Sequence, residues 1–404
     1  MSDETSFAEW IRADFRGFHE RLPSDEKLAE ARNRNSMHRL VAVYDDTIPN
    51  PSPVGTVATW STGLTMPGTA LVNAWAISSV TVAPTHRRRG IATALLEGEL
   101  RTAHALGIPL AILTVSESVI YGRWGFGPAT FATSWLIDTK RAQWSGGDTP
   151  GRLSFTDPDS YRKTAKQVLK TIMLARAGEI EVEIDPGAAE ELIGPHKGDD
   201  NAGLHRLVRY DSPEGEPEGF VHYSVEERSD FTQHRAEVHY LAATTDRALR
   251  ALWRFVLELD LVTEVRATLR AVDEPLPELV SDIRGARVTA VEDHLWVRIL
   301  DVPAALTARR YESDGEVVVE VTDTQEIANG RFRLTVVAGT ATVEPTTDRA
   351  DIELPVSSLG SILLGHPLAR NLALSGKLAG DPAAVATVDR LFRTTVPPRL
   401  SIWF

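Results

Sequence analysis

The run Val80-Thr81-Val82-Ala83-Pro84-Thr85-His86-Arg87-Arg88-Arg89-Gly90-Ile91-Ala92-Thr93 constrains the fold more than any other stretch. It reads as a strand, a tight basic turn with one glycine, and a helix start. The first amides of a helix have no partner within the helix, so at such a turn several N–H groups converge on one point. Together with the helix dipole they suit an anion, above all the pyrophosphate of a nucleotide-like cofactor. The small residues Gly90 and Ala92 let a phosphate come close, and three arginines add positive potential. A helix follows from about Arg89 to Leu106. Ala92, Leu96, Leu100, Ala103 and Leu106 share one face, Glu97 and Arg101 are spaced to pair, and Gly107 ends it. Leu110–Val115 is apolar on both faces, as in a buried parallel strand. The whole is one strand–helix–strand unit with an anion site at its turn.

A second motif, Ser116-Glu117-Ser118-Val119-Ile120-Tyr121-Gly122-Arg123-Trp124-Gly125-Phe126, follows that strand directly. It places Tyr121 near the carboxyl end of a parallel strand, where open α/β sheets bind ligands. A phenol is a neutral proton donor at pH 7, so Tyr121 can protonate a leaving group. The competing reading is a packing tyrosine with its hydroxyl satisfied locally. Trp124 reads as a core residue.

The 404 residues divide into three units. The first, 1–140, opens with two helical stretches and then carries strands at Leu40–Tyr44, Gly55–Ser61 and Ala74–Val82. The second, 141–298, opens with a Gly/Pro-rich loop at Trp144–Gly151. It repeats the order strand, strand, helix, strand with Gly219–Val225, Ala236–Ala242, Thr244–Leu259 and Glu264–Arg270, then His294–Leu300. Its turn, Leu241-Ala242-Ala243-Thr244-Thr245-Asp246, has no glycine, so its backbone cannot easily approach a pyrophosphate. The third, 299–404, has short strands at Gly315–Val321, Arg331–Val336, Thr340–Glu344 and Asp351–Leu354, an Asn329-Gly330 turn, and later helices at Val356–Leu364 and Asp381–Phe392. That order suggests α+β. The aromatic end, Ile402-Trp403-Phe404, is expected to dock and carry its carboxylate with it.

Composition excludes several chemistries. There is no cysteine, hence no thiol nucleophile, disulfide or thiolate metal site. The 11 histidines show no metal spacing along the chain; His222 and His239 are separated by a full strand and turn, and no metal is expected. With 43 basic against 56 acidic side chains, the formal charge is −13, which repels nucleic acid and anionic membrane and attracts cations. No signal pattern opens the chain and no apolar run approaches membrane-spanning length, so a cytoplasmic protein is expected.

Together the motifs at 80–90 and 121–130, the duplicated second unit and the aromatic end resemble the Eis (enhanced intracellular survival) family of GNAT N-acetyltransferases, along essentially the whole chain. The resemblance implies two tandem GNAT domains, the second degenerate, followed by a sterol-carrier-protein-like α+β domain. It implies a homohexamer, and acetyl-CoA as donor to amines of polycationic substrates such as aminoglycosides. The cofactor site would fall on Val80, Thr81, Val82, Arg88, Arg89, Gly90, Ile91, Ala92, Thr93, Ser116 and Glu117. Tyr121 would be the general acid and the α-carboxylate of Phe404 the general base. This agrees with the residues: an amine must be neutral to attack a thioester, a carboxylate can take its proton, and a strand amide near Val82 can stabilise charge on the carbonyl oxygen. Asp25, Glu26 and Glu30, with Trp10 or Phe15 nearby, are candidates to line the amine pocket. Two other readings stay open: a protein lysine acetyltransferase, and a non-catalytic acyl-CoA or lipid-binding module.

Overall fold

The computed structural model describes residues 4–49, 52–181, 202–228, 230, 232–366 and 368–404. They form two compact units. One runs to Thr130, resumes over His294–Thr395 and includes Phe404; the other is Phe131–Asp293 with Val396–Trp403.

In the first unit, helices α1 (Glu4–Gly17) and α2 (Asp25–Arg34) precede strands β1 (Arg39–Tyr44), β2 (Pro53–Thr65) and β3 (Leu71–Val82). Helix α3 (Ile91–Ala105) leads to β4 (Leu110–Thr114), then the short α4 (Ser118–Tyr121) and β5 (Gly127–Pro128). The sixth strand comes from far along the chain: β13 (Leu295–Ile299) lies between β4 and β5, giving the order β1-β2-β3-β4-β13-β5. Strands β3 and β4 are parallel and β13 is antiparallel to β4, from Leu295 opposite Thr114 to Ile299 opposite Leu110. The expected strand–helix–strand unit is therefore present.

Helix α3 buries Leu95, Leu96, Leu100 and Ala103 against the sheet, and Glu97 pairs with Arg101 at 3.2 Å. Leu106, expected on the buried face, is instead exposed beyond the last turn. The apolar stripe also carries a buried acid, Glu99. Its carboxylate accepts from Thr59 Oγ1 (2.8 Å) and Trp75 Nε1 (3.3 Å) and pairs with Arg39 (3.2 Å), so the charge is compensated.

The same unit holds a second sheet, β16-β15-β14-β17-β18, from β14 (Gly315–Thr322), β15 (Gly330–Val337), β16 (Thr340–Pro345), β17 (Ile352–Pro355) and β18 (Ala379–Gly380). All four strands expected here are found. The β15–β16 hairpin turns on Ala338 and Gly339, both at positive φ (50° and 73°), the twist that a two-residue hairpin needs. The β14–β15 connection is longer than the Asn329-Gly330 motif suggested. It winds around the Asp323 carboxylate, which accepts the amides of Gln325, Ile327 and Ala328. Asp323 also meets Arg298 of β13 at 2.5 Å, both side chains wholly buried. Burial alone would push the Asp323 carboxyl up, but Arg298 and the amides outweigh it and hold it below the usual range.

Helices α8 (Val302–Thr307), α9 (Val356–Ile362), α10 (Ala369–Leu374) and α11 (Pro382–Phe392) complete the unit. Helix α9 lies directly on β13 and β5. The approach depends on glycine: a Cβ on Gly127 would stand 1.9 Å from the Ser357 carbonyl oxygen, and one on Gly360 would stand 2.5 Å from that of Val297.

The second unit is one sheet, ordered β12-β6-β11-β10-β9-β8-β7. Its strands are β6 (Phe131–Asp138), β7 (Arg152–Phe155), β8 (His205–Asp211), β9 (Pro217–Glu226), β10 (His234–Ala243), β11 (Val262–Arg270) and β12 (Ala286–Asp293), with helices α5 (Pro158–Ala175), α6 (Asp246–Leu257) and α7 (Leu276–Leu279). Strands β9, β10, helix α6 and β11 repeat β2, β3, α3 and β4 in order and direction. The linear divisions at 140 and 298 do not follow the sheets. Strand β6 lies before 140 yet belongs to the second sheet; β13 begins before 298 yet belongs to the first. An apolar run marks a strand but does not name its partner. No helix among the described residues is long and apolar enough to cross a membrane.

Two substitutions test the packing. Gly127→Ala should destabilise the first unit by about 2 kcal/mol or more, because its methyl meets rigid backbone. Gly98→Ala, mid-helix in α3 with open space at the new Cβ, should stabilise it by about 0.5–1 kcal/mol. Urea unfolding of the two variants reads both signs.

Candidate active site

The two parallel strands at the centre of the first sheet separate. The β3–β4 ladder covers Ala74–Ala76 opposite Leu110–Ile112, whereas β3 continues to Val82 and β4 to Thr114. Beyond Ala76 the β4-facing edge of β3 therefore leaves that ladder. On its other edge β3 carries a bulge. Thr56 faces Thr81 and Ala58 faces Ser78, so Ser79 and Val80 together oppose Val57. Ser79 has φ 53°, a conformation that a bulge can impose and that re-aims the backbone beside it. The expected cofactor residues Val80, Thr81 and Val82 lie on this diverging end. The Thr81 hydroxyl is already engaged with that of Thr56 at 2.6 Å, which leaves main chain as Thr81's contribution to a ligand.

The turn after β3 matches the sequence reading. Gly90 is the N-cap of α3 with φ 79°, and Arg88 has φ 62°. No side chain caps the helix, so the amides that open α3, at Ile91, Ala92 and Thr93, are donors directed to the turn. A Cβ on Gly90 would meet nothing within 4 Å. Glycine is thus required here by its backbone angle rather than by crowding. Ile91 and Ala92 are half-buried against the core, while Thr93, Arg88 and Arg89 are exposed. The basic turn is partly offset: Asp45 pairs with His86 at 3.0 Å and Arg89 at 3.3 Å. Hydrogen bonds from the Thr47 hydroxyl and amide, then from His86, pull the Asp45 carboxyl down to about 2. The positive potential of the turn therefore comes mostly from Arg87, Arg88 and the helix end.

On the β4 side, Ser116 and Glu117 are exposed beyond the strand. Tyr121 ends α4 and is 7% exposed. Its ring packs 6.2 Å from Trp124 and 6.3 Å from Phe126, centroid to centroid. Burial first, then the Glu117 charge, raises its pKa above the ordinary phenol value, so it is protonated at neutral pH. Trp124 is a core residue, as expected.

Phe404 reaches the end of the same strand. The Thr114 hydroxyl donates to a main-chain oxygen of Phe404 at 2.7 Å, and the Phe404 ring meets Trp60 edge-on at 5.6 Å. Trp60 in turn stacks on His38 at 4.2 Å. Thr114, Trp60 and His38 escaped the sequence reading. A threonine closing a buried strand was the one available signal for the first; nothing in local sequence marks the other two.

Asp25 and Glu26 are exposed on α2 and Glu30 is half-exposed. Trp10 is a core residue, 1% exposed, with Nε1 donating to the Val41 carbonyl at 2.8 Å, and Phe15 packs against the same cluster.

The duplicated turn in the second unit differs in kind. The Thr245 hydroxyl caps α6 by accepting the Ala248 amide (3.3 Å), and it also meets Glu218 at 2.9 Å. Glu218 pairs with Arg247 at 2.5 Å. A capped helix start beside a carboxylate does not suit a phosphate. The histidines of this unit show no metal spacing along the chain, yet the fold brings His222 and His239 together with His205.

Comparison with known proteins gives the family and the fold. Residues 2–129 and 189–299 match the family models of acetyltransferase (GNAT) domains, and residues 302–401 match that of a sterol carrier protein domain. An uncharacterised N-acetyltransferase of Streptomyces avermitilis is 37% identical, covering 98% of this chain and 96% of its own. The N-acetyltransferase Eis of Mycobacterium tuberculosis is 34% identical, covering 90% of this chain and 89% of its own. The crystal structure of Eis1 from Mycobacterium abscessus superposes with a TM-score of 0.83 at 27% identity, covering 100% of this chain and 99% of that one. The protein is a GNAT-type acyltransferase, and such domains carry the use of acetyl-CoA with them. Two GNAT domains, a sterol-carrier domain and full-length relatives together place the chain in the Eis family of N-acetyltransferases.

Proposed function

We propose that the first unit transfers an acetyl group from acetyl-CoA to amines of polycationic small molecules, aminoglycosides among them, by direct attack of the amine on the thioester. The observation that carries this reading is the junction at the end of β4. There the strand opening, the motif bearing Tyr121 and the Phe404 carboxyl group meet one element. The α3 amides at Ile91, Ala92 and Thr93 would hold the diphosphate, with Arg88 and Arg89 beside it and Gly90 setting the turn. Main chain of Val80, Thr81 and Val82 would line the pantetheine arm, and Ser116 and Glu117 would border it from β4.

The amine must lose a proton to attack, and the Phe404 carboxylate is a group of suitable type to accept it. As the new C–N bond forms, the C–S bond breaks and Tyr121 gives its proton to the departing thiolate. A raised phenol pKa keeps Tyr121 protonated across the working range, so its loss should appear only on the far alkaline side of the pH profile. Net charge of −13 favours encounter with a polycation at low salt. The capped start of α6 supports one cofactor site per chain, in the first GNAT domain. Family membership supports a six-chain assembly, and sedimentation should give a native mass of six chains; a monomer would contradict it.

The general test is release of coenzyme A thiol over a panel of aminoglycosides, diamines and lysine peptides. Turnover confined to lysine peptides would favour the protein-directed reading, and tight acetyl-CoA binding with no turnover on any amine would favour a binding module. For mechanism, Tyr121→Phe keeps the ring packing and should lower kcat by about 10²-fold with acetyl-CoA affinity unchanged. Two glycines appended after Phe404 should lower kcat by at least as much, because the carboxylate is displaced. An unaltered rate in the extended protein would place the base elsewhere.

A further inference from the structure

The second unit carries a cluster that the acetyltransfer reading does not use. His205 on β8, His222 on β9 and His239 on β10 each offer one ring nitrogen, and these atoms all lie within 4.8 Å of one another. We propose that they form a transition-metal site, with Zn²⁺ as the ion that suits them best.

The sheet explains how three distant histidines meet. Strands β8, β9 and β10 are adjacent and antiparallel. On β9, Val221 and Tyr223 enter the main core, so His222 points to the opposite face. On β8, Val208 and Tyr210 enter that same core, which places His205 on the face of His222. Leu207 is directly opposite His222, so His205 is its diagonal neighbour, within reach of a long side chain. On β10 simple alternation would not deliver both Tyr240 and His239 to one face. The register slips between Val238, opposite Tyr223, and Tyr240, opposite His222. His239 is the extra residue of that bulge, a device that commonly re-aims a side chain.

The geometry fits an ion bound by imidazoles. The three ring centroids lie 4.8, 4.8 and 4.7 Å apart. His205 Nδ1 and His222 Nε2 stand 2.6 Å apart, so one proton is shared between two nitrogens that each would otherwise offer a lone pair. Tetrahedral zinc with Zn–N of about 2.1 Å needs ligand nitrogens about 3.4 Å apart. That spacing lies between the closest pair and the outer limit of the cluster, so small ring rotations suffice. An ion would take the place of the shared proton. The Ser224 hydroxyl, 2.8 Å from His239 Nε2, steadies the third ring, the kind of outer contact that orients metal-bound histidines. His222 is buried, His205 half-exposed and His239 exposed, which gives both a dry wall and an entry path. Three neutral nitrogen donors select zinc, copper, nickel or cobalt over the oxygen-seeking cations. Three protein ligands leave one position to water. The bound ion would tie three neighbouring strands of the second sheet together.

The test uses the full-length, untagged, metal-stripped protein and Co²⁺ as a spectroscopic probe. The expected result is one Co²⁺ per chain, with the intense visible bands of a four-coordinate ion, displaced by equimolar Zn²⁺. His239→Ala and, separately, His205→Asn should each weaken binding by ~10-fold or more. Circular dichroism and acetyltransfer measured in EDTA should stay at the level of the parent chain in both. Zn²⁺ should raise the thermal midpoint of the parent and leave that of the two variants unmoved. No Co²⁺ or Zn²⁺ binding at micromolar concentrations, or binding of equal strength in parent and both variants, would overturn the assignment.

Discussion

The first unit depends on an asymmetry in β4. One edge of this strand is paired along all five residues by β13, and the other edge is paired with β3 over three. A strand so placed is anchored at its full length and still opens toward its neighbour at one end. The anchoring matters because Thr114, the last residue of β4, lies opposite Leu295 in the continuous ladder and also holds Phe404. The opening matters because open α/β sheets present ligands beyond the carboxyl ends of their strands. Beneath it, Arg298 of β13 is buried against Asp323, and Gly127 and Gly360 let α9 lie close on β13 and β5. Removing one partner of such a buried pair is costly, since the other charge remains without compensation. The strand that anchors β4 is therefore itself fixed by packing and by charge.

Duplication makes the role of single residues visible. Both units run two antiparallel strands into a helix and then a parallel strand, yet their helix starts are chemically opposite. At α3 a left-handed glycine leaves the amides without a side-chain cap; at α6 a threonine hydroxyl takes an amide and Glu218 stands beside it. The same backbone plan can thus donate to an anion or close itself, depending on whether the cap is Gly90 or Thr245. The two sheets also each take a strand from beyond the linear division: β13 beside β4, β6 beside β11.

What could be read from the sequence follows the range of the forces involved. Local signals were legible. The single glycine at position 90 marked a tight turn before a helix, and the stripe Leu96, Leu100 and Ala103 marked the buried face of α3. Alternation located the strands of the sterol-carrier domain, and the missing glycine near Thr245 flagged a different turn. Pairings between distant segments were not legible. Leu295–Ile299 is buried on both faces and would read alike in any central strand, so its place beside β4 could not be inferred. Glu99 sits at a stripe position that spacing buries, while its charge calls for water, and only the convergence of Thr59, Trp75 and Arg39 on it resolves the conflict.

The histidines show the same limit at its sharpest. A metal motif on a helix repeats at short spacing, because three or four residues bring side chains to one face. On an antiparallel sheet the equivalent spacing is set by hairpin length and by register, neither of which is a motif. His205, His222 and His239 are separated by 17 residues each, and their meeting further requires the slip between Val238 and Tyr240. Without that bulge, strict alternation would put His239 and Tyr240 on opposite faces. With it, Tyr240 points to the side of Phe220, stacking at 5.7 Å, while His239 remains beside His222. One inserted residue thus determines whether three imidazoles converge, which is why the grouping belongs to the fold rather than to any segment of the chain.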